Sequence, residues 1–195
     1  MCVWGRNDWE MTDTANIADF LPVMAARQPD ATAIICPWGR RGGSLTYREL
    51  NQRSAQIARG LETVGIGQGV RTVLMVPPGL DLFPLAFGLF RAGAVPVLVD
   101  PGIGLKHLKA CLGNAQPEAF IGVTKAHSAR ALLAWARPTL RTKITVGRRL
   151  FWGGRTLDQI EQLGSGADAE AVATTGADDV AAIVFTSGST GPPKG

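Results

Sequence analysis

Apolar positions along this 195-residue chain fall into two alternating patterns. Short, nearly unbroken apolar runs occupy 32–37 (TAIICP), 71–78 (RTVLMVPP), 95–100 (VPVLVD), 118–123 (EAFIGV), 142–147 (TKITVG) and 181–187 (AAIVFTS). A strand with one wet face alternates apolar and polar residues, whereas a strand covered on both faces reads as a continuous run, as in parallel sheets. Between the runs lie stretches with helical spacing. In LTYRELNQRSAQIARGLETVG (45–65), Leu50, Ser54, Ile57, Ala58, Leu61 and Val64 share one face. Thr46 and Glu49 have capping-box spacing, and Gly65 stands where a C-terminal cap belongs. Residues 17–28, 80–92, 104–115 and 126–136 read as further helices, with Pro29 and Pro138 just beyond two of them.

Strand and helix in alternation predict an α/β fold: a layered, mostly parallel sheet flanked by helices, with ligands bound at the carboxyl ends of the strands. GSGADAEAVATTGADD (164–179) reads as a polar linker before the last strand. Residues 1–12 read as a disordered tail or a start set too far upstream, because Met11 begins a more ordinary opening.

Composition narrows the class. Apolar residues make up 46% and charged residues 18%, which supports a packed core. The stretch 82–99 is greasy, but Arg91, Pro84, Pro96 and Gly93 divide it, so a buried helix followed by a buried strand is expected rather than a membrane span. Asp8 and Glu10 stand where a secretory signal would be apolar. The three cysteines, Cys2, Cys36 and Cys111, are widely spaced and make neither a disulfide framework nor a zinc site, which points to a cytoplasmic protein with no metal-ligating residues of its own. Eight Lys and Arg residues and no acid lie between Lys125 and Arg155. Such a stretch suits phosphates, acidic lipids or nucleic acid, or is a solvated face; no nucleic-acid motif accompanies it, and nucleic acid is not an expected partner. His107 and His127 read as surface residues, Asp100 as a turn former before Pro101, and Trp135, Phe151 and Trp152 as core in preference to an acyl-tunnel lining or a membrane-surface contact.

The chemistry concentrates in FTSGSTGPPKG (185–195). Thr186, Ser187, Ser189 and Thr190 carry hydroxyl donors, and Gly188 and Gly191 let backbone N–H groups approach a ligand. Pro192 and Pro193 stiffen the exit toward Lys194, a mobile point charge suited to a phosphate oxygen. Following a buried strand, these parts make a polyphosphate cradle. It is not a Walker loop, because Pro193 and Gly195 flank the lysine and no helix follows within the sequence.

These residues resemble the phosphate-loop signature [YF]-T-S-G-[ST]-T-G-x-P-K-G of the adenylate-forming (AMP-binding) enzymes, which include acyl-CoA synthetases, peptide-synthetase adenylation domains and luciferases. SLTYRELNQRSAQIARGL (44–61) and FGLFRAGAVPVLVDP (87–101) resemble further segments of that family; Val70 departs from it, where an aspartate is usual after Gly69. DPGIGLKHLKACLGNAQPEAFIGVTKAHSARALLAW and RRLFWGG look most like its acyl-activating subgroup of bacterial olefin biosynthesis, which forms a β-lactone from long-chain 2-alkyl-3-hydroxy acids. The resemblance implies that 13–195 is an incomplete N-terminal portion of an adenylation domain, and that Thr186, Ser187, Gly188, Ser189, Thr190, Gly191 and Lys194 surround the phosphates of ATP, held with Mg2+. A fatty-acid carboxylate would attack the α-phosphate. CoA or the acid's own 3-hydroxyl would then accept the acyl group, and other olefin-pathway enzymes would be partners. The family's Thr-Glu motif, ribose-binding aspartate and catalytic lysine have no counterpart here. The expectation is therefore a piece inactive alone, with no catalytic residue of its own. Two other readings are a catalytically dead nucleotide- or partner-binding module, and an unrelated phosphate or nucleic-acid binder using 125–155.

Overall fold

The computed structural model describes residues 15–37, 42–99, 105–136 and 138–185. Its centre is a sheet of six parallel strands, β3 (Arg71–Met75), β4 (Val95–Val99), β5 (Ala119–Val123), β6 (Thr142–Val146), β7 (Arg155–Thr156) and β8 (Ile183–Phe185), in the order β7-β6-β5-β3-β4-β8. Consecutive residues of one strand serve opposite faces. Leu74, Ala119, Ile121 and Ile144 pack against α2 (Tyr47–Thr63), α3 (Leu82–Arg91) and α6 (Leu157–Leu163), through Ile57, Leu61, Leu85, Leu89 and Ile160. Val73, Val97, Phe120 and Phe185 face α4 (Leu105–Ala115) and α5 (Thr124–Leu133), through Cys111, Leu112, Ala115 and Ala126. Two covered faces explain the unbroken apolar runs, and the expected three-layer α/β architecture is the one observed.

One run belongs elsewhere. β1 (Thr32–Cys36) was expected among the sheet strands, but it pairs antiparallel with β2 (Gly43–Thr46) in a separate two-stranded ladder. Its Ile35 is 72% exposed, so an apolar run there does not mean burial on both faces. Before it come a 3-10 turn, Ile17–Asp19, and α1 (Phe20–Arg27).

Local signals end the helices where the sequence placed them. Thr46 Oγ1 accepts from Glu49 N–H at 3.2 Å, and the Glu49 carboxylate accepts from Thr46 N–H at 2.8 Å. Those bonds hold the Glu49 carboxyl below its ordinary pKa. At the other end of α2, Gly65 (φ 81°) and Ile66 donate to Glu62 and Leu61 carbonyls, a Schellman closure. Gly93 (φ 67°) and Ala94 repeat it on Phe90 and Leu89, ending α3 just before β4. The greasy stretch 82–99 is thus a helix and a strand. Among the described residues no helix is long and apolar enough to cross a membrane.

Candidate phosphate-binding end of the sheet

The chain runs from β3 through α3 to β4 on one side, then crosses back through α4 to β5 on the other. The helices that follow these neighbouring strands, α3 after β3 and α4 after β4, diverge to opposite faces of the sheet. Such a divergence opens a crevice where α/β sheets bind ligands. β8 lies beside β4 in the register Val97↔Ile183, Leu98↔Val184 and Val99↔Phe185. Phe185, the last described residue, thus ends β8 level with Val99, the last residue of β4. Phe185, 5% exposed, is locked among Val97, Leu112 and Phe120. Thr186, Ser187, Gly188, Ser189, Thr190, Gly191 and Lys194 lie outside the described residues, as do Asp100, Cys2 and residues 1–12.

A three-residue edge strand holds its place weakly, and the segment before it supplies the rest. Residues 164–182 contain no helix or strand, yet they are strapped to the core. Arg91, 1% exposed, donates from Nη1 to the carbonyls of Ala169 (2.9 Å) and Ala171 (3.0 Å), and from Nη2 to Asn51 Oδ1. Ala173 N–H returns a bond to the Arg91 carbonyl at 2.8 Å. Asn16 Nδ2 donates to Phe90 and Ala173 carbonyls, and Ala15 N–H to that of Thr175. Burial pulls the Arg91 guanidinium down to about 10, opposed by Glu170, Asp19 and Asp168, so it stays charged at neutral pH. The sequence marked Arg91 only as an interruption in a greasy stretch. Its partners lie 40 to 80 residues away and leave no local signal.

His127 departs from the surface position expected of it. It is fully buried at the start of α5, stacks on Trp152 (ring centroids 5.2 Å, interplanar angle 10°), and donates from Nε2 to the Ile144 carbonyl at 2.8 Å. Burial pushes its pKa down to about 4 against the pull of that hydrogen bond, with Arg130 and Lys143 adding to the depression. It is a neutral core residue, remote from the β4–β8 end. His107 is exposed, as expected. Trp135 and Trp152 are buried, while Phe151 is 82% exposed and corrects the core reading given to it. Among the described residues no group of three or more His, Cys, Asp and Glu side chains could hold a metal ion.

A hollow of about 390 Å³ is lined by Asn16, Arg71, Phe90, Val95 and Asp179. It sits under the strap at the amino ends of β3 and β4, opposite the end at which β8 finishes. Topology, rather than this hollow, marks the ligand end.

Comparison with known proteins agrees with that geometry. The AMP-binding enzyme family matches residues 21–195. The chain is 54% identical over 192 residues to an olefin beta-lactone synthetase of Xanthomonas campestris pv. campestris, covering 95% of this chain and 34% of that protein. Identity is 53% over 194 residues to the olefin beta-lactone synthetase of Stenotrophomonas maltophilia, covering 95% of this chain and 35% of that one. The chain thus spans about a third of the length of these curated relatives. Its fold matches the anthranilate CoA ligase AuaEII in complex with anthranoyl-AMP, with a TM-score of 0.80 at 17% identity over 94% of this chain and 34% of the ligase. It also matches the N-terminal domain of FACL13 from Mycobacterium tuberculosis, with a TM-score of 0.74 at 23% identity over 92% of this chain and 43% of that one. With the signature loop directly after β8, the chain belongs to the AMP-binding, adenylate-forming enzyme family.

Proposed function

We propose that this chain supplies the ATP-phosphate-holding part of an enzyme that activates a long-chain 2-alkyl-3-hydroxy fatty acid as its acyl-adenylate. The observation that carries the reading is the junction of β8 with the loop TSGSTGPPKG, beside β4 and the crevice between β3 and β4. N–H and O–H groups of Thr186 to Gly191 and the ammonium of Lys194 would surround the β- and γ-phosphates of ATP, which enters as its Mg2+ complex. Their work is to hold the phosphates in line and stabilise charge on the departing pyrophosphate. The acid's carboxylate oxygen attacks the α-phosphorus, a P–O bond to pyrophosphate breaks, and an acyl-adenylate results. The 54% identity to an olefin beta-lactone synthetase favours the substrate's own 3-hydroxyl over CoA as the next nucleophile. Ring closure then forms the new C–O bond and expels AMP, and a further olefin-pathway enzyme would consume the lactone. Because the chain covers a third of such relatives, the reaction is proposed for a protein of their full length, acting in the cytoplasm.

The test is acid-dependent pyrophosphate release and lactone formation by such a protein, comparing the parent with Lys194→Ala. Losing one charged contact to a leaving group predicts a drop of about a hundredfold in turnover. Equal rates in the parent and the Lys194→Ala variant would remove the loop lysine from the reaction. Release of acyl-CoA with no lactone would redirect the second half-reaction to CoA.

A further inference from the structure

The loop 147–154 leaves the carboxyl end of β6 for β7, at the opposite edge of the sheet from β8, and is firmly built. Trp152, 7% exposed, donates from Nε1 to Thr145 Oγ1 at 3.0 Å and stacks on His127, and its carbonyl accepts from the Lys143 ammonium at 2.8 Å. The Thr124 hydroxyl donates to the Arg148 carbonyl, and the Arg149 guanidinium donates to that of Gly154. Gly147, Gly153 and Gly154, with φ of 87°, 72° and 82°, turn the chain out and back. Between these anchors the loop holds Leu150 at 41% and Phe151 at 82% exposure.

The surroundings are basic. Lys125, Arg148, Arg149 and Arg155 are exposed around the loop, and no acid occurs anywhere from 125 to 155. Among the described residues, Lys125, Arg148 and Arg155 make no ion pair with a carboxylate. We propose that this loop is a membrane-surface contact, with Phe151 and Leu150 entering the interface of an anionic bilayer while Lys125, Arg148 and Arg155 meet lipid phosphates. Charge alone would suit nucleic acid, and apolar exposure alone a protein partner. A rigid tip that joins an aromatic ring to unpaired cations fits a lipid interface, where each side chain finds its preferred depth. Such contact does not depend on whether the chain binds ATP.

The test is co-sedimentation of the full chain with vesicles of phosphatidylcholine, either pure or containing phosphatidylglycerol. The parent should bind the anionic vesicles, bind pure phosphatidylcholine little, and dissociate as salt is raised. Lys125→Glu with Arg148→Glu should weaken binding about tenfold, and Phe151→Ser by a similar factor. Arg148→Lys and Phe151→Leu keep charge and apolarity and should bind like the parent, which separates the proposal from a folding defect. Equal binding to both vesicle types, no binding to either, or Glu and Ser variants that bind like the parent would overturn the assignment. So would tighter capture of RNA or an acidic peptide that ignores Phe151.

Discussion

His127 shows how much one side chain's surroundings decide. Its neighbours in sequence, Lys125, Ser128 and Arg130, give it the look of a surface residue, but the ring is enclosed by Phe120, Trp152 and the Ile144 carbonyl. The unfolded chain takes up a proton near the ordinary histidine pKa, whereas the folded chain resists it down to about 4. Stability is therefore complete above the unfolded value and falls as pH drops toward the folded one. Thermal or urea melts should lose about 2 kcal/mol between about pH 7 and pH 5 from this group. His127→Gln keeps a donor for Ile144 without titrating and should flatten that part of the profile. A profile identical in parent and variant would show that another group governs it. No single-residue feature of the sequence announces this burial, because the walls come from β5, β6 and the loop after it.

At the scale of elements, caps are local and seams are not. Thr46 with Glu49, and Gly65 and Gly93 with their Schellman bonds, act within a few residues and were legible as spacing. The helix α6 carries the same capping signal, Thr156 with Gln159, but its seven residues show little periodicity. Its reason for existing is the seam with α2. A Cβ at Gly60 would run into the Ile160 carbonyl, and one at Gly164 into that of Gln56. Arg53 bridges the same region, with Nη2 on Asp81 at 2.7 Å and Nε on Glu161 at 2.8 Å, tying α2 to α3 and α6. Gly164→Ala must push backbone against backbone, and is expected to lower unfolding free energy by about 2–3 kcal/mol. Denaturant unfolding measures this directly; a change near zero would mean that α6 shifts freely along α2. Gly65→Ala, at an uncrowded position, tests backbone strain alone and should cost about 1 kcal/mol.

Across the whole molecule, the strap 164–182 carries the chain from α6 to the far edge of the sheet, where β8 joins β4. Arg91 and Asn16 hold it, so the position of β8 depends on buried hydrogen bonds rather than on three strand residues. Arg91→Met should speed amide exchange throughout 169–175 and at 183–185 by about tenfold or more, while β3 and β5 stay protected. Unchanged exchange at 183–185 would mean that pairing with β4 suffices. Sequence alone determined the layered parallel architecture, five of the six central strands, the main helices and the family signature, because periodicity, caps and a contiguous motif act over short stretches. Tertiary structure decided that β1 leaves the sheet to pair with β2, that Arg91 and His127 are buried, that Phe151 is not, and that β8 reaches the crevice beside β4. Each of these depends on contacts between residues distant along the chain, where no local pattern records which surface will cover which.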